Sequence, residues 1–320
     1  MDVKPLWKRT ATAPGKAILF GEHAVVFGFP AVSLAVDLPT TVTTQAYDRE
    51  PCTLEGSAEA FQRIPYLRET VRCCGGRGLD VHVRSALPRA SGLGSSAAVT
   101  CGLAAALLSQ GSSPLDRAAL AKRSFEAEFS AQGVGSPVDT STLCAGGIVS
   151  VGGKGYGKSL WEIPATGGKG PWKVDRLPDP GWDWVVAYTG SPKATGKVVS
   201  AVGKTVATSG TAVVEKIAAI TEKGIAALFK GDREEVGRLM KENHHWLGEL
   251  GVSNPRLEEV AEAVREVALG VKITGAGLGG SLLALARPGE ETRVARAFAR
   301  QGTVPFIVKI SESGVRLETN

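Results

Sequence analysis

Chemistry in this chain is concentrated where glycines sit beside hydroxyl and charged side chains. The densest case is Pro88–Ala98, PRASGLGSSAA, which precedes an Ala-rich run. Read locally, it is a strand, a loop turned by Gly92 and Gly94, and a helix opening at Ser95-Ser96. Glycine lets the backbone approach a ligand closely, while the free N–H groups and positive dipole end of a first helical turn favour phosphate. The serine hydroxyls add reach to phosphate oxygens or to a bound cation. The plainer alternative is an ordinary helix cap after a flexible loop.

A second stretch competes for that role. Gly152-Gly153-Lys154-Gly155-Tyr156-Gly157-Lys158-Ser159 fits the pattern G-x-x-x-x-G-K-[ST] letter for letter. The pattern works only when a strand precedes it and a helix follows to present its N-terminus. Here SLWEIPATGG follows, with Pro164 arriving soon after Lys158 and no helical run. In a glycine-rich chain a chance match is easy, and the stretch is read as a decoy.

Candidate acids and bases lie elsewhere. Lys16 opens an apolar run that ends in Glu22-His23; together they could anchor a phosphate and an oxygen-rich substrate, or be a surface lysine and a structural histidine. Asp139, among the hydroxyls of GSPVDTST, serves equally as a turn-capping residue or as a carboxylate placed to accept a proton. Glu128 falls at the end of a helix, where the dipole disfavours a carboxylate, so a partner such as a metal ion would account for it. Lys272–Ser281, KITGAGLGGS, places its glycines between two strands, as a backbone-lined site or a simple turn. His244-His245 lacks a third ligand at metal spacing, Cys73-Cys74 are too close for ordinary pairing, and no G-x-S-x-G elbow suggests a hydrolase.

The elements that must position these residues are short apolar and β-branched runs at Ala17–Phe20, Ala31–Val36 and Thr40–Ala46, and an alternating strand at Asp80–Ser85. Helices are expected from Ser95 to Gln110, and from a Ser113-Pro114 start to about Gln132. Residues 145–151 read as a strand, 152–179 as a loop-rich excursion, and Trp182–Tyr188 as a strand. Helical segments follow at 195–229 (broken near Gly210), 232–250 and 255–268, and strands at 270–274, 281–286 and 304–310 close the chain. Strands and helices mix without regular alternation, which favours α+β over a doubly wound sheet.

Bulk composition sets outer limits. At 320 residues, 43% hydrophobic and 22% charged, the chain is globular rather than disordered or coiled-coil, and its length suggests two domains, divided at 1–180 and 181–320. The longest mostly apolar stretch, Ala97–Leu108, is well short of the about 20 residues that span a bilayer, and the N-terminus lacks a secretory pattern. Five cysteines without paired spacing argue against a zinc site or disulfide framework and for a reduced, cytoplasmic setting. The net charge of +5 is spread along the chain, a mild bias toward anionic ligands and poor support for nucleic acid.

Taken in order, Lys16–Gly28, Pro88–Ala98 and Lys272–Ser281 resemble the three signatures of the GHMP small-molecule kinase superfamily, over essentially the whole chain. Within it, FGEHAVVFGFPAV and LMKENHHWLGELGVS are similar to the mevalonate kinases. The resemblance implies an N-terminal domain with a left-handed βαβ unit, a ferredoxin-like C-terminal domain and a cleft between them. It implies phosphorylation of the primary hydroxyl of mevalonate, with ATP and Mg²⁺ as cofactors, and it allows a homodimer. By residue, it implies Lys16 and Asp139 as catalytic groups, and Pro88, Arg89, Ala90, Ser91, Gly92, Leu93, Gly94, Ser95, Ser96 and Ala97 around ATP. Glu22, His23, Thr195 and Ala276 would face the substrate, with Ser96 and Glu128 on the metal. Two departures alter loop shape: Pro137 replaces a usual glycine before Asp139, and Leu278 replaces another in the third motif. The rival expectations are an ATP-dependent phosphomevalonate or diphosphomevalonate decarboxylase, another sugar or alcohol kinase of the superfamily, and a non-catalytic sensor on the same fold.

Overall fold

The computed structural model describes residues 4–48, 50–109, 114–191, 198–203, 206 and 210–318. Two sheets organise it. In the larger, β1 (Trp7–Phe20) and β2 (Ala31–Ala46) pair antiparallel along nearly their whole length. Prolines make this pair look like separate short runs in the sequence. Pro14 falls where the register shifts between Ala13 and Gly15, and Pro39 lies between Val36 and Thr40, where β2 has no β1 partner. A proline costs no ladder bond in a bulge.

β2 also pairs with β4 (Leu79–Ser85) and β5 (Ile148–Gly152). β3 (Thr53–Leu54) runs parallel to β4, and the crossover between them carries α1 (Ala58–Arg63) and α2 (Pro65–Cys74). This is a βαβ unit. Both helices are additions to the elements expected from the sequence, although α1 has a Ser57 cap accepting from Ala60 N and α2 has proline in its first turn. β6 (Lys158–Ile163) and β7 (Trp172–Leu177) form an antiparallel pair on β5, so the expected loop excursion at 152–179 is corrected to a hairpin. Its glycines hid two strands whose Ile163, Trp172 and Val174 enter the core.

On this sheet pack α3 (Ser95–Leu108), α4 (Arg117–Gln132) and α5 (Val138–Ala145). α3 lies close to the sheet because its residues are small: a Cβ on Gly102 would sit 2.7 Å from a Val42 methyl. α4 starts later than expected, under Asp116, whose carboxylate accepts from Ala119 N at 3.0 Å. Ser113, the expected cap, lies outside the described residues.

The smaller sheet is wholly antiparallel, in the order β11 (Val304–Val308), β8 (Trp184–Tyr188), β10 (Ser281–Leu285), β9 (Gly270–Thr274). Between β8 and β9 run helical residues 198–203, α6 (Ala212–Lys230), α7 (Arg233–Glu249) and α8 (Pro255–Val264). α9 (Glu291–Arg300), which the sequence reading did not include, joins β10 to β11 and buries only Val294 and Phe298. Order 4-1-3-2 with helices in both crossovers is the β-α-β-β-α-β ferredoxin-like arrangement. After β11 the chain returns to the larger sheet, where β12 (Arg316–Leu317) pairs with β1. Among the described residues no helix is long and apolar enough to cross a membrane.

The sheets meet where the C-terminal end of β1 faces β9. Ile18 N donates to Thr274 Oγ1 at 2.8 Å, Ser281 Oγ to Ser91 O at 2.9 Å, and His23 Nε2 to Ala276 O at 3.0 Å.

Candidate active site

A cavity of about 1070 Å³ opens at this junction, at the upper end of the sizes usual for small-ligand sites. Lys16, Glu22 and His23 reach it from β1 and the turn after it, Gly92, Gly94, Ser95 and Ser96 from the loop and the start of α3, Glu128 from α4, Asp139 from α5, and Gly275 and Ala276 from the loop after β9.

The loop before α3 is built as its glycines require. Gly92 and Gly94 both have φ +82, and Ala90 also lies at positive φ. Ser91 and Leu93 are wholly buried and anchor the loop, Ser91 O accepting from Ser281 and Leu93 O from Lys16 N at 2.9 Å. α3 then starts at Ser95 with no side-chain cap on its first turn, so its free N–H groups point to the cavity end of the helix. Of the ten loop residues expected around ATP, Arg89, Ala90, Gly92, Gly94, Ser95 and Ser96 line the cavity, whereas Pro88, Ser91, Leu93 and Ala97 do not.

Lys16 is buried and its Nζ lies 3.0 Å from Asp139 Oδ1. Asp139 sits not in a turn, as its sequence context suggests, but in the first turn of α5, where the helix dipole favours an anion. Glu128 faces the same space from a neighbouring helix. Burial, and then the negative charge of Asp139, push its carboxyl up to about 8, against the opposing pull of Lys16 and a Ser96 hydrogen bond. Tyr66 of α2 lines the same cavity; burial, followed by the Glu128 charge, raises its hydroxyl pKa, with Ser96 pulling the other way. Nothing in PYLRET marked Tyr66, because α2 itself was not legible.

At the other end, Glu22 is buried against Lys272 of β9, which donates to its Oε1. The sequence singled out both residues but not their pairing. His23 holds a positive φ of 63°. Thr195 lies outside the described residues. Only Gly275 and Ala276 of the third glycine-rich motif line the cavity; Gly277 packs against Val252, and Leu278, at φ 56°, donates its N–H to Val252 O at 2.7 Å.

The Walker-like stretch is used differently. Lys158 opens strand β6 rather than preceding a helix. The N–H groups of Tyr156 and Gly157 are already taken by Asp175 Oδ2, at 2.6 and 3.4 Å. His244 is likewise structural, accepting from Ile273 N at 3.3 Å and facing Glu258.

Comparison with known proteins places the arrangement. The family described as GHMP kinases N terminal domain matches residues 58–147, and GHMP kinases C terminal matches residues 225–304. A mevalonate kinase of Thermococcus onnurineus is 33% identical, over 96% of this chain and 98% of that one. The chain belongs to the GHMP kinases. It is thus a phosphotransferase, and its two sheets are the halves of that α+β, two-domain fold. Two solved structures share it. The Lin0012 protein from Listeria innocua has a TM-score of 0.82 at 20% identity, covering 98% of this chain and 100% of that one. L. major mevalonate kinase in complex with R-mevalonate has a TM-score of 0.77 at 23% identity, covering 97% and 98%. At such identities the likeness is one of fold. In this GHMP kinase, Lys16, Asp139, Glu128 and the α3 N-terminus converge from four separate elements onto one cavity.

Proposed function

We propose that this GHMP kinase transfers the γ-phosphoryl group of ATP to the primary hydroxyl of mevalonate. The observation that carries the reading is the 3.0 Å Lys16–Asp139 pair beside an uncapped helix N-terminus. Phosphoryl transfer needs little covalent work from a protein; it needs positioning and charge neutralisation. The first-turn N–H groups of α3 hold phosphate oxygens, while the apolar end formed by Leu54, Ile64, Val83 and Val99 suits a base. Lys16 orients Asp139 and balances charge on the group in transit. Asp139 accepts the hydroxyl proton as the oxygen attacks. The choice of mevalonate rests on the full-length likeness to mevalonate kinase of Thermococcus onnurineus.

Ser96 and Glu128 suit a hard cation. Two neighbouring carboxylates share one lysine, and Glu128 is driven toward its protonated form first by burial and then by the charge of Asp139; a divalent cation relieves that repulsion. Mg²⁺ binds through one or two carboxylates with the substrate phosphates, and when bound it neutralises phosphate charge. The division at 1–180 and 181–320 is part of the same proposal, supported by the gap between β7 and β8. So is a cytoplasmic setting, which suits five free cysteines.

A decarboxylase acting on a phosphorylated substrate is less well supported. Among the described cavity residues the cations are Lys16 and Arg89, both on the phosphate side, while the other end presents Glu22 and His23. The test is ADP and CO₂ release with ATP-Mg²⁺ and a panel of mevalonate, phosphomevalonate, homoserine and galactose. Rapid ADP release with mevalonate and no CO₂ is expected. CO₂ release, or preference for another acceptor, overturns the reading.

A further inference from the structure

β9 (Gly270–Thr274) reads GVKIT and is buried at every position. A lysine in the middle of such a strand is costly, because removing its charge from water outweighs what a methionine of similar length would lose. The structure offsets part of this cost with hydrogen bonds. Lys272 Nζ donates to Ile273 O at 2.6 Å, to Ile18 O at 3.4 Å and to Glu22 Oε1, using all three N–H donors of an ammonium. Side-chain exposure is 0% for Lys272 and 1% for Glu22. The pair spans the junction, with Glu22 following a strand of the larger sheet and Lys272 lying in the smaller.

Glu22 is held from one side only. Oε1 is committed to Lys272, while Oε2 is buried without a hydrogen-bond partner among the described residues. A carboxylate has about four acceptor sites, and leaving a buried one unused costs free energy. The residue lines the cavity beside His23 and Ala276. The backbone is constrained on either side: Gly21 has φ +86, where a Cβ would meet Pro30 O at 2.2 Å, and His23 has φ 63°. The carboxylate is therefore aimed by its backbone and by the lysine behind it.

We propose that Lys272 is a positioning residue for the acceptor alcohol: it fixes Glu22 across the two sheets so that one carboxylate oxygen is left to accept from a substrate hydroxyl. This rests on the alcohol-kinase reading above. It adds a selection rule, since an unpaired carboxylate oxygen welcomes an O–H donor and repels a phosphate or carboxylate. The acceptor is thus an alcohol with a second hydroxyl besides the one phosphorylated at Asp139: that second hydroxyl meets Glu22, and any carboxylate the acceptor carries points away from it. Lys272 does not touch the substrate; it acts only through Glu22.

A double-mutant cycle tests this. In Glu22→Gln the KM for the alcohol rises by about 10- to 100-fold, the range for a lost hydrogen bond to a charged group, while the KM for ATP stays within about twofold. Lys272→Met gives the same split, although it is remote from the substrate. Adding Lys272→Met to Glu22→Gln leaves the alcohol KM where Glu22→Gln put it, because residues acting through one contact are not additive. If Lys272→Met alone fails to fold with an uncompensated carboxylate, the comparison of Glu22→Gln with the double variant decides, since the latter buries no lone charge. A further several-fold rise in the double variant, a parallel rise in the ATP KM, or wild-type KM in Lys272→Met overturns the proposal. The cycle is run on whichever alcohol of the panel the wild-type enzyme phosphorylates. A wild type active on mevalonate with an additive cycle sinks only the Lys272 role, whereas a wild type that phosphorylates no alcohol sinks both readings.

Discussion

Replacing Gly94 with alanine adds one methyl group where the glycine-rich loop, Lys16 and α3 meet. Gly94 has φ +82, and a Cβ there would lie 2.8 Å from Lys16 Cγ and 3.6 Å from Leu143 Cδ1. Two separable costs follow. Holding alanine in the left-handed region costs about 1–2 kcal/mol, which lowers Tm by roughly 2–6 °C in a chain of this size. The contact with Lys16 must also open to ordinary carbon–carbon separation, about 3.5–4.0 Å, so the side chain retreats by roughly 1 Å. That retreat is passed to Nζ, whose 3.0 Å contact with Asp139 sets the site. A misplacement of about 1 Å costs on the order of 10²-fold in rate. Gly231→Ala separates the two effects: Gly231 ends α6 at φ +64, and a Cβ there meets nothing within 4 Å. Both variants should lose a few degrees of Tm by calorimetry. Only Gly94→Ala should lose kcat in a coupled ADP-release assay, by about 10²-fold against Gly231→Ala. A kcat equal in the two variants would refute the idea that the loop sets the position of Lys16.

Three further outcomes are expected. Asp139→Asn lowers kcat by ~10²–10⁴ with ATP affinity within a few-fold; near-normal turnover would exclude Asp139 as proton acceptor. Glu128→Gln raises the Mg²⁺ concentration for half-maximal rate, and it also changes stability against pH in metal-free protein. In wild type the folded state keeps a proton at Glu128 to about pH 8, whereas an ordinary glutamate (4.5) releases it on unfolding, so stability falls as pH rises between those values. The Gln variant lacks this contribution and gains on wild type across the same window; parallel Tm–pH curves would contradict the shift. Lys158→Ala keeps kcat and the ATP KM within about two- to threefold, as for surface substitutions away from special features, because Lys158 is exposed at the start of β6; a dead enzyme would restore the Walker-like loop as the phosphate site.

Where the sequence was legible, the information was local. Gly92, Gly94 and the Ser95-Ser96 start of α3 announce a turn and a helix terminus within a dozen residues, and the structure has both. The ferredoxin-like order of the smaller sheet follows from elements that were mostly visible one by one. The rejection of Gly152–Ser159 likewise needed only the absence of a helix after it. Elements were lost where local signals misled. Pro14 and Pro39 broke β1 and β2 into fragments because a sheet can house proline at bulges. The glycines of 152–179 masked a hairpin, and α1, α2 and α9 were too short or too charged to stand out.

The sequence by itself thus determined the superfamily, the α+β class and the glycine-rich turn that leads into α3, since motif order and turn chemistry are properties of neighbouring residues. Only the tertiary structure decided which of the singled-out side chains meet. Lys16 and Asp139 come from a strand and a helix more than a hundred positions apart. Glu22, just after β1, and Lys272, in the smaller sheet, stand 250 positions apart, and Tyr66 comes from a helix the sequence did not announce. A buried lysine is costly alone and tolerable beside a buried glutamate, and that difference depends on packing between sheets rather than on spacing along the chain.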